Sequence, residues 1–538
     1  MNLSKLWADE TLVPILVCAS LFLLALAPFL YFHASNWPRA DDFVIVDLFS
    51  KLKSGELSVV DVIKLKNQEH LLGIYYISAL WLAAAFGLNF ALPIILNGLL
   101  ILASVLLLAF TMRRHHTCAL RWPAIAALFM AIGNGTQVNH LLWAFELYWY
   151  VVLFLHILLI FVIEKYGSRA AVPVLVVCAA STLFGAQGQI LWLTSAAHYW
   201  LRASSEPNSN RRVVFAVVAT KLLAFSALAV MYVTNSSSGQ IGFLFDRLLS
   251  LPIFFLQLFG GLFGIRHPGL ALVLGTLVVG ITIVLLVRNW LIDRNEKPFR
   301  VASSLVLFAL IWAGLFAVGR SKLGIDWAFG NFHASVHLIP ILLALALLAC
   351  TGDSADSRGW SAASSVALTV PFVAFFTALT YAGPMSREVR DRTSVAMALT
   401  CHEGSSSNYA VLRLNGMSAH RELFERGSRV LYDLCRGSEA SALAKRLLSP
   451  PDDLLRMMKT SEEADLALTR LWQVYVSSFD LQRAFSPWSP SLVADLLEFG
   501  YHTARSEAMY ESAFLGPHRA TLIQVRDEYL KVRSARLN

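Results

Sequence analysis

The feature that most constrains this chain is a series of apolar runs that recurs along its first 382 residues. Several runs approach the ~20 consecutive apolar residues that an α-helix needs to cross a bilayer. Only 15% of the residues are charged, whereas 57% are hydrophobic. We therefore predict an all-α polytopic membrane protein. The first run, residues 12–32, is too long for a removed signal peptide and precedes no small-residue cleavage site, so we interpret it as a signal anchor.

Basic clusters in short loops predict how the chain is threaded through the membrane, because such loops stay in the cytoplasm. The clusters are Arg113–Arg121, Lys165–Arg169, Arg202–Arg212, Arg288–Arg300 and the loop around Arg358. The alternation of faces then requires residues 71–112 to cross once and residues 242–265 not to cross. The resulting prediction is about eleven transmembrane helices. Which part of 71–112 crosses is left open.

In this topology, most of the charged residues that do not belong to the short basic loops lie at the outer face of the membrane. The outer segments are 33–69, 133–146, 234–267, 320–333 and everything after residue 383. The polar residues that they bring to this face are Asp41, Asp42, Glu69, His70, His140, Glu146, Arg320, Lys322, Asp326 and His333. An enzyme that acts on a membrane-bound substrate needs such a gathering of polar groups on one side.

The chain changes character after Pro384, where it becomes polar with helical periodicity. We predict two domains: a transmembrane domain over residues 1–383 and a small all-α soluble domain over residues 384–538, outside the cytoplasm. Cys401 and Cys435 both fall in this second domain, so we expect them to form a disulfide in an oxidising compartment.

Charge and motif content exclude several functional classes. The net charge of +8 does not come from the soluble domain, where 20 Lys/Arg balance 19 Asp/Glu. The excess lies in short membrane loops, and no basic, aromatic-interleaved surface predicts a nucleic-acid partner. The six cysteines lack metal-ligand spacing. No phosphate-binding glycine loop, zinc motif or serine triad is evident.

Two adjacent carboxylates, Asp41 and Asp42, follow the first apolar run at the membrane face. They are candidate catalytic residues, although capping of the next helix is an equally good interpretation because Asp is a favoured N-cap residue. Residues Val44–Lys53 and Ser58–Lys66 mix apolar and charged residues at helical spacing, which predicts helices lying in the interface. Glu69 and His70 end this loop; they either orient a substrate or pair with the preceding lysines.

Glu146 is a further candidate catalytic residue, at the outer start of a span and surrounded by aromatic residues over Trp143–Tyr150. An interfacial belt explains the tryptophan and tyrosine residues. It does not explain Glu146, because an ionised carboxylate in an apolar run costs several kcal/mol unless it is paired or used. His156, in the middle of the same span, is expected to be a hydrogen-bonded packing residue.

Arg320, Lys322 and His333 form a cationic group on the predicted outer face. Basic residues there oppose the positive-inside bias, which favours a bound anion such as a lipid phosphate. Ordinary headgroup contacts, or a pair with Asp326, explain them equally well.

This layout resembles the GT-C superfamily of integral-membrane glycosyltransferases over residues 1–382. The resemblance rests on the acidic pair Asp41-Asp42 in the first outer loop, the second acidic site Glu146 in the next outer loop, and the pair Glu69-His70 before the second span. It departs where related bacterial sequences often place Ser-Arg-Tyr ahead of a late span, because this chain has Asn331-Phe332-His333. The soluble domain resembles no family.

The resemblance implies an inverting glycosyltransferase in a bacterial cytoplasmic membrane, with the soluble domain in the periplasm. The donor would be a polyprenyl-phosphate-linked sugar, and the acceptor a glycan, lipid or protein. One carboxylate could serve as general base, and a divalent cation such as Mg²⁺ or Mn²⁺ could be held by carboxylate oxygens. The alternatives are a transporter or flippase of a lipid-linked sugar and a non-catalytic membrane scaffold.

Overall fold

A computed structural model describes residues 12–34, 38–39, 41–67, 70–112, 121–206, 211–235, 250–265, 267–320, 335–349 and 362–400. This part of the chain is helical except for connecting turns and one two-residue ribbon. It divides into two units. Unit 1 contains residues 1–29, 63–77 and 94–384, and unit 2 contains residues 30–62, 78–93 and 385–538. The predicted helical fold class is confirmed.

The helices up to the first candidate site are α1 (Leu12–His33), α2 (Asp42–Ser54), α3 (Val59–Lys64), α4 (Gly73–Phe86), α5 (Ala91–Met112), α6 (Arg121–Ile132) and α7 (Val138–Leu141). The later helices are α8 (Leu147–Tyr166), α9 (Ala171–Ser181), α10 (Ala186–Ser204), α11 (Arg211–Asn235), α12 (Ser250–Gly260), α13 (Pro268–Asp293), α14 (Lys297–Arg320), α15 (Ser335–Leu348) and α16 (Ala362–Thr400). Short 3-10 turns connect α6 to α7, α7 to α8, α8 to α9, and α9 to α10.

Six helical stretches in the described part are long and apolar enough to cross a membrane, as expected for a membrane protein. They are Leu12–His33, Ala91–Met112, Ala144–Phe184, Pro268–Ile292, Lys297–Val318 and Ala363–Gly383. The predicted count of about eleven is not confirmed, because several apolar runs fold into short helices. At 1.5 Å per residue, α6 and α9 are each shorter than about 20 Å, against about 30 Å of hydrocarbon.

The run at 71–112 folds into two helices of unequal length. Helix α5 has 22 residues and is long enough to cross, whereas α4 has only 14. The structure therefore favours α5 as the part of this run that crosses. Helix α12, in the run that was predicted not to cross, has only 11 residues.

The predicted helices of the first outer loop are both present, as α2 and α3. Gly55 ends α2 in the left-handed conformation (φ 78°), and its N–H bonds back to the carbonyl of Leu52. Helix α2 buries Phe43 and Val46 completely. After α3, Lys66–Asn67 (β1) pairs with His70–Leu71 (β2) in an antiparallel ribbon that the sequence analysis did not predict.

Helix α15 is the core of unit 1. Its residues from Val336 to Leu348 are all buried, and it packs against α14 and α6. A helix that is apolar on all sides is the kind that is enclosed by its neighbours. Because apolar side chains gain little from leaving lipid, close packing holds such helices together. Helices α12 and α13 are an example of such close packing, because a Cβ atom at Gly275 of α13 would overlap the backbone oxygen of Leu256 in α12.

Helix α16 is continuous from Ala362 to Thr400, so it runs through the predicted domain boundary at residue 383. Residues 401–538, which include Cys401, Cys435 and most of the predicted soluble domain, lie outside the described residues.

Candidate functional site

The segment between α6 and α8 is held by hydrogen bonds from buried amide side chains. Asn134 accepts the N–H of Thr136 at 3.0 Å and its hydroxyl at 2.6 Å, and it donates to the carbonyl of Leu262 at 2.9 Å. Asn97 of α5 donates to the carbonyls of Leu141 (3.3 Å) and Trp143 (3.2 Å). These bonds satisfy backbone groups that a break between helices would otherwise leave unpaired inside the protein.

Close backbone contact fixes the same segment against α16. A Cβ atom at Gly135 would lie 2.6 Å from the carbonyl oxygen of Ala378 and 2.9 Å from Cβ of Ala382. No larger residue fits without moving the turn, so Gly135 sets the distance between the turn and α16.

Glu146 is the last residue of a 3-10 turn and the N-cap residue of α8, and only 4% of it is exposed. Nδ1 of His140 in α7 lies 3.6 Å from Oε1 of Glu146. That distance suits an ion pair when His140 is protonated, but it is too long for a hydrogen bond. His140 is also fully buried, so the carboxylate of Glu146 lies next to a buried imidazole and not in bulk water.

An aromatic enclosure, formed by Trp149, Trp312 and the ring of His337, adjoins His140. The ring of His140 stacks on Trp149 with 5.1 Å between centroids, and Trp149 also lies 4.8 Å from the ring of His337. The ring of Trp312 lies 4.8 Å from the ring of His337. These buried rings give His140 apolar surroundings, in which a charge interaction is stronger than it is in water.

An apolar cavity of about 420 Å³ adjoins the segment that carries His140 and Glu146. Its walls come from α1, α5, α6 and α16, and its polar part comes from the turn between α6 and α7. The residues that line it include Phe22, Ala126, Asn134, Gln137 and Leu141. Its volume falls within the range of about 300–1,000 Å³ that is usual for ligand sites.

Asp41 and Asp42 begin α2 in unit 2. Asp42 is 2% exposed, and its Oδ2 accepts the backbone N–H of Arg39 at 2.8 Å. Asp41 occupies the N-cap position but makes no capping hydrogen bond with its side chain. The capping alternative thus applies in part to Asp42, whereas Asp41 is half-buried and is not used as a cap.

The remaining predicted site residues are described only in part. Arg320 is the last residue of α14 and is half-buried, and the backbone of His70 lies in β2. Glu69, Lys322 and His333 lie outside the described residues. Within the described residues no group of three or more His, Cys, Asp or Glu side chains is placed to hold a metal ion.

Two buried polar clusters were missed by the sequence analysis. In the first, Glu164 of α8 is paired with Arg300 of α14 and His198 of α10. In the second, Nζ of Lys221 lies 2.5 Å from Oγ of Ser195 and 3.8 Å from Sγ of Cys178. The signal for the first was Glu164 itself, a carboxylate at the end of a long apolar run, but its partners are more than 30 residues away.

Comparison with known protein families, with curated proteins and with solved structures found no match.

Proposed function

We propose that this chain is an inverting glycosyltransferase of the GT-C type, which moves a sugar from a polyprenyl-phosphate donor to a glycan, lipid or protein acceptor. The observation that carries the proposal is the double role of residues 133–146. One side of this segment lines the apolar cavity through Asn134, Gln137 and Leu141, and the same segment carries the buried pair His140–Glu146. A lipid-binding surface and a candidate acid–base group therefore belong to one short stretch of chain.

The cavity supports a lipid-linked donor because its walls are apolar side chains, most of them from the candidate spans in α1, α5 and α16 and the rest from α6 and α7. Phe22 of α1 and Ala126 of α6 face a volume that is polar only at the turn carrying Asn134 and Gln137. An isoprenoid tail would contact the helices, and the phosphate end would lie towards the turn. Arg320, with Lys322 and His333, is proposed to contact the donor phosphate, since cations near a phosphate strengthen its hydrogen bonds.

The proposed reaction needs one base. The acceptor hydroxyl oxygen attacks the anomeric carbon from the face opposite the phosphate, and the carbon–oxygen bond to phosphate breaks, which releases polyprenyl phosphate. The hydroxyl proton goes to a carboxylate. By the resemblance, the candidates for this base are Asp41 and Asp42, with Glu146 as the second acidic group. Lipid phosphate is already a good leaving group, so no strong general acid is needed.

A divalent cation is compatible with carboxylate oxygens as ligands. The described residues bring no third ligand of a suitable type to Asp41 and Asp42.

The proposed location is a bacterial cytoplasmic membrane, with the reaction at its outer face and the C-terminal domain in the periplasm. Glu69 and His70 are proposed to orient the substrate at the mouth of the second span. These assignments rest on the basic loops and on the resemblance.

The test is sugar transfer by the purified full-length protein. The protein is incubated in detergent with radiolabelled polyprenyl-phosphate sugars and a membrane extract as the acceptor source, and labelled product is separated from donor. We expect transfer with at least one donor, and its loss in Glu146→Gln. Glu56→Gln is the matched control, because Glu56 is an exposed carboxylate in the first outer loop.

A transporter of the same donor would give a different result. It would move the labelled donor across a proteoliposome membrane and leave the bond between sugar and phosphate intact. Translocation without transfer would therefore replace the proposed function.

A further inference from the structure

Four buried histidines of unit 1 lie in one series of contacts. They are His140 on α7, His337 on α15, His156 on α8 and His198 on α10, and none is more than 2% exposed. Ionisable side chains are rare inside membrane helices because burying their charge is costly, and where they occur in series they commonly relay protons.

His156 contacts two hydroxyl groups, and one of them, that of Thr194, lies on the helix that carries His198. Nδ1 of His156 lies 3.5 Å from Oγ1 of Thr194, and Nε2 lies 3.4 Å from Oγ of Ser304. Thr194 is one turn from His198 on the same helix, so the two side chains share a face. Both nitrogens of His156 therefore point towards hydroxyl groups, as expected of a hydrogen-bonded residue.

The connection between His140 and His156 runs through His337. Its ring lies 4.8 Å from Trp149, which stacks on His140, and 5.8 Å from Phe308, whose ring is 4.6 Å from His156. His337 is fully buried, and neither ring nitrogen has a hydrogen-bond partner among the described residues. A buried polar group without a hydrogen-bond partner costs about 1–3 kcal/mol of stability, so packing alone does not account for a histidine at this position.

Each end of the series meets a carboxylate of the stretch that contains α8. Oε1 of Glu146 is 3.6 Å from His140, and Oε1 of Glu164 is 3.3 Å from Nε2 of His198. A rise of 1.5 Å per residue from position 146 to position 164 gives about 27 Å, close to the ~30 Å hydrocarbon thickness. The other charged groups that face this end, among the described residues, are Arg300 and Arg202, both within 4 Å of Glu164.

We propose that these residues form a proton path from the Glu146 end of α8 to the Glu164 end. A neutral imidazole accepts a proton on its unprotonated ring nitrogen and then releases the proton that its other nitrogen already carried. The ring or its protons must then reset before the next transfer. Trp149 and Phe308 do not carry protons, so transfer past them requires rotation of His337 or entry of a water molecule. The path is therefore slow and gated, with transporter-like rather than channel-like flux.

The test measures proton flux with the full-length protein in proteoliposomes. The vesicles contain the pH dye pyranine, and a potassium gradient with valinomycin sets the membrane potential. We expect acidification above that of protein-free vesicles when the potential draws protons inward. His156→Gln retains polar contacts to Thr194 and Ser304 but cannot carry a proton, and His337→Phe fills the aromatic enclosure. Both should bring the flux down to the protein-free value.

His267→Asn is the matched control. His267 is exposed and caps α13 through the N–H of Leu270, which Asn also does well, and it lies outside the series. Its flux should equal that of the wild type. Wild-type flux equal to that of protein-free vesicles overturns the proposal, as does full flux in both His156→Gln and His337→Phe. Because the assay contains no lipid-linked sugar, neither result depends on the glycosyltransferase proposal.

Discussion

Glu164 and Arg300, which are 136 positions apart in the chain, form a bidentate ion pair inside unit 1. Nε and Nη2 of Arg300 donate to the two carboxylate oxygens at 2.9 and 2.8 Å. His198 and Arg202 lie 3.3 and 3.7 Å from the same carboxylate. One buried carboxylate thus ties the C-terminal end of α8 to the start of α14 and to α10.

The first prediction is that Arg300→Gln destabilises the protein strongly. Removing one partner of a buried pair costs about 3–5 kcal/mol, because it leaves the other charge buried and less well compensated. His198 and Arg202 offset part of that cost, so we expect the lower end of the range. The midpoint of thermal unfolding in detergent provides the measurement.

Arg211→Gln is the control for this prediction, because Arg211 is exposed at the first residue of α11. Its midpoint should stay at the wild-type value. Equal midpoints for both variants would contradict the structural role of the Glu164–Arg300 pair.

Hydrophobic runs and local signals were enough to predict much of the fold. The apolar runs predicted the helical membrane class, and mixed periodicity predicted α2 and α3. The number of spans could not be predicted in the same way, because a short buried helix and a membrane span have the same composition. Helix α15, for example, is uniformly apolar but has only 14 residues, and it is enclosed by other helices.

The candidate site was predicted in part for a similar reason. The cost of a carboxylate in an apolar run predicted that Glu146 is not simply solvated, and the structure buries it near His140, six positions earlier. Trp149, which stacks on His140, also contacts Trp312 and His337, and these contacts depend on helices far away in the chain. The local periodicity of the sequence does not predict contacts between distant helices, and the same holds for the pairing of Glu164 with Arg300.

The second prediction separates catalysis from packing at Glu146. Glu146→Gln keeps the shape of the side chain and removes its charge, so an essential carboxylate should cost about 10²–10⁴-fold in transfer rate. The midpoint of unfolding should stay close to wild type, because burying the neutral amide of Gln costs less free energy than burying an ionised carboxylate. The rate is measured per folded molecule at saturating donor. A lowered midpoint with an unchanged rate would make Glu146 purely structural.

The third prediction concerns the apolar cavity. Ala126→Phe places a ring into a volume of about 420 Å³ that is lined by this residue. If the donor tail binds there, the apparent KM for lipid donor should rise more than kcat falls, because the change removes binding that ground state and transition state share. Ala84→Phe, at an exposed position of α4, is the control. The same KM in both variants would place the tail elsewhere.

The fourth prediction concerns topology. A C-terminal alkaline phosphatase fusion should be active and a C-terminal green-fluorescent fusion should be dark, because the basic loops predict that everything after residue 383 lies outside the cytoplasm. The continuous helix α16 connects the last candidate span to this region. The opposite pattern would move Asp41, Asp42 and Glu146 to the cytoplasmic face, because all of them depend on the same alternation.

The last prediction concerns Asp41 and Asp42. If one of them is the general base, Asp→Asn at that position should lower the transfer rate by about 10²–10⁴-fold, because Asn cannot accept the proton. An architectural role gives a different result. The oxygen of Asn can still accept the N–H of Arg39, which Oδ2 of Asp42 accepts at 2.8 Å, so Asp42→Asn should then fold and act like wild type. Rates of the two single variants and the double variant are compared with Glu56→Gln. Full activity in all three would remove the catalytic role of both aspartates and leave Glu146 as the only described carboxylate in the proposed chemistry.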